Sequence, residues 1–209
     1  ALLEYKNINT NISLEALNLY LTFDHVPAPW SIYENIYKLE QGHYLSLKNG
    51  KLNNKKWYQI TYQPKFTSLK TDDYLNELDF LISESVKLRT ISDVSLGAFL
   101  SGGIDSSLIC HYLTKSSNKT IKTFSIDFDE PSFDESKYSQ YVANYLETEH
   151  FSQKFTSKNM MELIPDVINT MDEPFADASI LPFYLLSSIT RDKVTVSLSG
   201  DGGDELFAG

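Results

Sequence analysis

Two stretches of the chain carry residue types suited to phosphate and metal chemistry. The first is Leu100-Ser101-Gly102-Gly103-Ile104-Asp105-Ser106-Ser107. Glycines let a backbone come close to an anion. Free N–H groups at a helix start point at that anion, and the helix dipole adds partial positive charge. Ser101, Ser106 and Ser107 supply hydroxyl donors, whereas Asp105 breaks the pattern. A carboxylate beside a phosphate is repulsive unless a cation sits between them. Mg²⁺ takes one or two carboxylates plus phosphate oxygens, so Asp105 predicts a metal–nucleotide complex. The second stretch closes the chain: Ser199-Gly200-Asp201-Gly202-Gly203-Asp204-Glu205-Leu206-Phe207-Ala208-Gly209, three carboxylates among four glycines. Carboxylates there suit hydroxyls or Mg²⁺, and the spacing does not match a calcium loop.

Two common nucleotide loops are excluded. Gly97 and Gly102 have the spacing of a Walker loop, but Gly103 stands where its lysine is required. A Gly-x-Gly-x-x-Gly dinucleotide fingerprint is absent.

The elements around these stretches alternate. Val94–Leu100 is β-rich and leads into the first loop, and Leu108–Leu113 leads out as a helix. Thr120–Phe128 alternates as a second strand, His150–Phe155 reads as a third and Val194–Leu198 as a last. Helices are expected from Thr71 with the stripe Leu75, Leu78, Ile82 and Val86, and around Tyr138, Tyr141, Val142 and Tyr145. Another is capped by Ser157 and carries Pro165 as a kink or restart, and a last covers Ile180–Thr190. Strand–helix alternation means βαβ units, hence an α/β fold with a mostly parallel, doubly wound sheet and helices on both faces. Ligands bind such sheets outside the carboxyl ends of the strands. Leu100, Ile126 and Leu198 all end strands at that edge, and two of those strands run into Ser-Gly.

Residues 1–64 differ. Ser13 caps a short helix through Leu14, Leu17 and Leu21, Pro27 and Pro29 interrupt the chain, and Asn49-Gly50 between Gly42–Leu47 and Lys51-Leu52 signals a hairpin. His25 and His43 read as packing or surface residues rather than ligands. Gln63–Lys70 reads as a linker, giving a boundary between 1–64 and 65–209. The acidic stretch Asp172–Ser179 fits either a solvated connection or a wall of the nucleotide site.

With 209 residues, 42% of them hydrophobic, the chain can bury a core. A net charge of −10 argues against nucleic acid as a partner. No apolar run reaches membrane-spanning length, and one cysteine fits a reducing, cytoplasmic setting.

Ser-Gly-Gly-Ile-Asp-Ser-Ser resembles the loop of the ATP pyrophosphatases, which split ATP between the α and β phosphates and include GMP and NAD synthetases and tRNA-modifying enzymes. Followed by Ser-Gly-Asp-Gly-Gly-Asp-Glu-Leu-Phe-Ala-Gly, it resembles more specifically the synthetase domain of glutamine-hydrolysing asparagine synthetases. Asp172-Glu173-Pro174-Phe175-Ala176-Asp177 is similar to bacterial members, and Tyr20–Phe23 through Gly42–Leu45 looks like the tail of their amino-terminal glutaminase domain. The resemblance implies an adenine nucleotide alpha hydrolase-like fold, with ATP and Mg²⁺ as cofactors. It also implies a reaction in which aspartate's side-chain carboxylate is adenylated, pyrophosphate leaves, and ammonia from glutamine displaces AMP.

By motif position the resemblance implies that Ser101, Gly102, Gly103, Asp105 and Ser106 form the pyrophosphate loop. Asp105 and Asp204 would hold Mg²⁺, and Leu100, Ile126, Ser199 and Gly200 adenine and ribose. Asp201 and Glu205 lie near the site, and Glu205 joins Asp105 and Asp204 as a catalytic candidate. Two departures stand out: residue 1 is Ala where the family's glutaminase has a cysteine nucleophile, and Gly209 precedes the family's later phosphate-contacting helices. A piece of a longer protein, unable to hydrolyse glutamine and weak or inactive in synthesis by itself, is expected. Alternatives are an amidotransferase acting on another carboxylate such as a sugar acid, a tRNA-modifying pyrophosphatase, and an ATP-binding module without catalysis. Partners are then small molecules and the parent's glutaminase domain. The exposed edge of the hairpin also leads us to expect self-association, as in a homodimer.

Overall fold

The computed structural model describes residues 2–61, 70–130, 132 and 134–207. The expected linker lies almost wholly outside them. The chain forms two compact units, Ala1–Thr67 with Ile168–Ala178, and Ser68–Val167 with Ser179–Gly209.

In the smaller unit Ser13 Oγ accepts from Ala16 N at 3.2 Å and starts α1 (Leu14–Phe23). Asp24, in the left-handed region with φ 63°, ends it. The hairpin pairs β1 (His43–Lys48) with β2 (Lys51–Lys56). Asn49 and Gly50 both have positive φ, the geometry a two-residue turn needs to match strand twist. That turn sets Lys48 opposite Lys51 and carries the ladder to Lys56. The second arm is longer than the sequence suggested because Asn53–Lys56 is polar throughout and shows no alternation. His25 and His43 each bond a backbone carbonyl two residues earlier. Ala16, Val26 and Ile32 form a small core. Glu173 joins this unit, accepting from Ile32 N at 3.3 Å and pairing with Lys38.

The larger unit runs α2 (Thr71–Arg89), β3 (Leu96–Phe99), α3 (Ile104–Ser116), β4 (Lys122–Phe128), α4 (Ser136–Tyr145), β5 (Glu149–Phe155), α5 (Ser157–Thr170) as far as Val167, α6 (Ile180–Arg191), β6 (Val196–Leu198) and α7 (Gly203–Phe207). Its four described strands are parallel, in the order β5-β4-β3-β6. From β3 the chain steps outward to β4 and β5, then returns to add β6 on the other side. The order therefore reverses at β3, and right-handed crossovers put helices on opposite faces.

Alternation along β3 shows the two faces. Ala98 and Leu100 join Val86, Cys110, Leu113, Ile121 and Ala143 in the main core beneath α2, α3 and α4. Phe99 points the other way, with its ring edge-on to Phe183 of α6 at 5.6 Å between centroids. Phe124, in register with Phe99, stacks on Phe151 of β5 on this face. Beneath α4 the outer strands turn polar. Thr123 Oγ1 lies 2.9 Å from His150 Nδ1, and Ser125 Oγ lies 3.3 Å from His150 Nε2. Burial pushes the His150 imidazole below its usual range, with Asp127 opposing.

α2 begins at Thr71, as expected, and the Lys70 N–H donates to Asp73 Oδ2 at 3.1 Å. Other details differ from the sequence reading. Thr156, not Ser157, caps α5, with Asn159 N donating to Thr156 Oγ1 at 3.2 Å. Pro165 stands inside α5 without ending it. Tyr138, Tyr141 and Tyr145 of α4 are exposed, and its buried face is Ser139 and Ala143 with Val142 and Leu146 packed alongside. Small side chains bring α4 close to its neighbours, and the tyrosines have no room there.

Candidate active site

The loops after β3 and β6 meet at the carboxyl edge of the sheet, at the strand-order reversal, where open α/β sheets bind ligands. Leu100 N–H still donates to Phe124 O at 2.9 Å, so the ladder holds until the first loop begins. Within that loop hydroxyls bond inward. Ser106 Oγ receives the Ser101 N–H at 3.3 Å, lies 3.0 Å from Ser101 Oγ, and donates to Gly103 O at 3.3 Å. Gly103 N–H donates to Ser101 Oγ at 3.2 Å. Ser106 is thus a brace of the loop. Ser107 Oγ is buried without a hydrogen-bond partner among the described residues and is not on the cavity wall. With Gly103 as cap, Ile104, Asp105 and Ser106 open α3. First-turn N–H groups of a helix have no intrahelical acceptor.

Gly102 has φ +91°, and a Cβ on it would lie 2.5 Å from Ser139 N and 2.6 Å from Tyr138 C. Only glycine fits this backbone beside α4. Asp134 fixes that end of α4 by accepting from Ser136 N at 3.1 Å and Ser136 Oγ at 3.0 Å. These bonds to Ser136 hold the Asp134 carboxyl below its ordinary range.

The second loop lies on the first. A Cβ on Gly200 would come 2.7 Å from Ser106 N. Gly202, at φ +93°, turns in open space, and Ser199 Oγ donates to Asp201 Oδ2 at 2.9 Å. Gly203 then starts α7, which carries Asp204 and Glu205.

These loops wall a cavity of about 910 Å³, near the upper end of ordinary ligand sites, which span roughly 300–1,000 Å³. Leu100, Ser101, Gly103, Asp105, Ser106, Ile126, Ser199, Gly200, Asp201, Asp204 and Glu205 all line it. Gly102 does not, because it faces α4. Sequence reading missed the apolar wall. Phe124 and Phe128 flank Ile126 on one face of β4, and Ser179, Pro182, Phe183 and Leu186 form a helical stripe at the start of α6. Both sets could have been found by spacings of two and of three to four. Asp172–Ser179 therefore divides, with Glu173 in the smaller unit's network and Ser179 on this cavity.

Among the described residues the lining holds five carboxylates, Asp105, Glu135, Asp201, Asp204 and Glu205, and neither lysine nor arginine. Among the described residues no three His, Cys, Asp or Glu side chains gather tightly enough to hold a metal by themselves. A polyphosphate entering this cavity needs a cation, and the cation would draw its remaining ligands from the phosphates. That donor set fits Mg²⁺.

Residues 77–209 match the family model described as asparagine synthase, and residues 1–58 match one described as a glutamine amidotransferase domain. The chain belongs to the asparagine synthase family. A putative glutamine-hydrolysing asparagine synthetase of Methanocaldococcus jannaschii is 39% identical over 214 residues, covering 100% of this chain and 41% of that protein. Asparagine synthetase 1 of Bacillus subtilis is 34% identical over 95% of this chain and 31% of its own length. The chain thus spans between about a third and two fifths of these relatives. Among solved structures, an ammonia-dependent NAD synthetase from Campylobacter jejuni aligns over 66% of this chain and 59% of its own, with 15% identity and a TM-score of 0.42. No helix among the described residues is long and apolar enough to cross a membrane.

Proposed function

We propose that this chain supplies the ATP-binding core of a glutamine-dependent asparagine synthetase. The observation that carries the proposal is the pair of glycine-rich loops, joined at the strand-order reversal, with Asp105, Asp204 and Glu205 on one cavity. A carboxylate oxygen of aspartate attacks the α-phosphorus of ATP, and the bond to pyrophosphate breaks. Ammonia then attacks the acyl carbon of the aspartyl adenylate, and AMP leaves with the bridging oxygen.

The chain's own residues have definite tasks in this scheme. Gly103 and the opening N–H groups of α3 face the departing pyrophosphate, whose charge grows as it leaves. Ser101 and Ser106 hold that turn in shape before ATP arrives. Leu100, Ile126, Ser199 and Gly200 bind adenine and ribose, and the aromatic wall of Phe124, Phe128 and Phe183 excludes water from the base. Asp105 and Asp204 would hold Mg²⁺, which would supply neutralisation of phosphate charge. Asp201 and Glu205 position the acceptor side of the site. The reading sets the enzyme in the cytoplasm, with a glutaminase domain in the parent chain providing ammonia and two copies associating through the hairpin edge.

The test is aspartate-dependent ATP–pyrophosphate exchange by the full natural protein, with Asp105→Ala as control. Exchange that requires both aspartate and Asp105 supports the proposal. Exchange that appears only with another carboxylate would move the function to a different amidotransferase. ATP binding without exchange for any acid would refute adenylation.

A further inference from the structure

Gly203 occupies an unusual place. It is the first residue of α7, and its φ lies outside the left-handed region, so its backbone does not demand glycine. Glycine is a poor helix residue compared with alanine. Space explains its presence: a Cβ on Gly203 would lie 2.4 Å from Asp105 Cγ, 2.7 Å from Oδ1 and 2.8 Å from Oδ2. Among the three nearest atoms there is no backbone, only the Asp105 carboxyl group. The Asp105 carboxylate makes no hydrogen bond or ion pair among the described residues. Polar bonding therefore does not fix its carboxylate. What bounds it on this side is the bare backbone at the start of α7.

Gly200 and Gly202 differ. At Gly200 the nearest atom is the backbone N of Ser106, and at Gly202 there is nothing within 4 Å. Of these three glycines, only Gly203 meets a side chain alone at its closest approach.

We propose that Gly203 is a positioning residue for Asp105, leaving a slot that lets the second loop close over the Asp105 carboxylate in the orientation it needs toward Mg–ATP. The metal part rests on the function proposed above; the packing part does not. A methyl group in the slot would swing the carboxylate aside or lift α7 from the first loop. The second glycine-rich motif would then serve the first motif's carboxylate as well as bringing Asp204.

The experiment uses the full natural protein with Gly203→Ala, Asp105→Ala and the double variant. Thermal unfolding is measured without ligand. Gly203→Ala should be more favourable to Tm in the Asp105→Ala background, where the slot is vacant and alanine is the better helix former, than in the parent, where the methyl must displace the carboxylate. An equal change in both backgrounds would overturn the proposal. If Gly203→Ala alone fails to fold, recovery of folding in the double variant supports the slot, and failure there too refutes it. The second readout is the Mg²⁺ concentration giving half-maximal ATP–pyrophosphate exchange. Gly203→Ala should raise it roughly 10-fold, as for residues that orient a metal ligand, with exchange recovering at high Mg²⁺. An unaltered Mg²⁺ requirement would overturn the positioning role. A parent without exchange would sink the function proposed above, while the unfolding comparison would still decide the slot.

Discussion

The loops after β3 and β6 have similar compositions and opposite constructions. The first holds itself together: Ser106 and Ser101 tie its backbone through a small hydroxyl network, and Gly102 seats it against α4. Among the described residues the second has a single side-chain bond, Ser199 to Asp201, and it takes its shape by lying on the first through Gly200 and Gly203. Similar runs of Ser, Gly and Asp thus encode a frame in one place and a cover in the other. The first loop should tolerate little and fail as a unit, whereas the second should fail where it touches the first.

The largest effect should come from Gly102→Val. It forces a positive φ on a β-branched residue and drives a side chain into α4 backbone. Each fault costs about 1–3 kcal/mol, so urea unfolding should show a loss of about 3 kcal/mol or more. A loss below about 1 kcal/mol would remove the frame from the comparison. Ser106→Ala comes next. It deletes the hydroxyl shared by Ser101 and Gly103 and should cost about 1–3 kcal/mol, with faster hydrogen exchange at Ser101 and Gly103. Unchanged exchange at both amides would mean that the hydroxyl network does not shape the loop.

A smaller, pH-dependent effect belongs to Asp134, which fixes the end of α4 that Gly102 meets. Its folded pKa lies below the usual value of 3.8, so the unfolded chain takes up its proton first. Its contribution is whole above about pH 3.8 and fades as pH falls through the lower folded value. The Tm gap between the parent and Asp134→Asn should be flat at neutral pH and shrink in acid. A gap independent of pH would show that its charge plays no part. The smallest effect is expected from Ser199→Ala. One exposed bond in the covering loop should move stability by no more than about 0.5 kcal/mol, and a loss matching that of Ser106→Ala would erase the distinction between the loops.

Much of this arrangement could be read from residue types. Alternation marked β4, and the run from Val94 into Ser-Gly-Gly located β3 and its loop. Eleven of the twelve site residues named from the motifs line one cavity. Motifs report which residues do chemistry, not which residues face each other. Gly102 also seats its loop on α4, a contact the motif does not reveal, because close approach looks the same in sequence whatever is approached. The tyrosines of α4 marked the helix but not its inner face, which Ser139 and Ala143 take where space is short. Glu173 was unreadable because its partners, Ile32 N and Lys38, lie more than a hundred residues earlier.

Cys110 lies at zero exposure in α3, under the first loop, with its Sγ donating to Phe99 O at 3.8 Å. Burial pushes its thiol up to about 12. Only a thiolate reacts quickly with an alkylating reagent, so in the folded chain this sulfur should be nearly silent. Since it is also the only thiol in the sequence, its labelling rate becomes a clock for how often α3 parts from β3. Nucleotide that grips the first loop should slow that clock without any dye or tag being added.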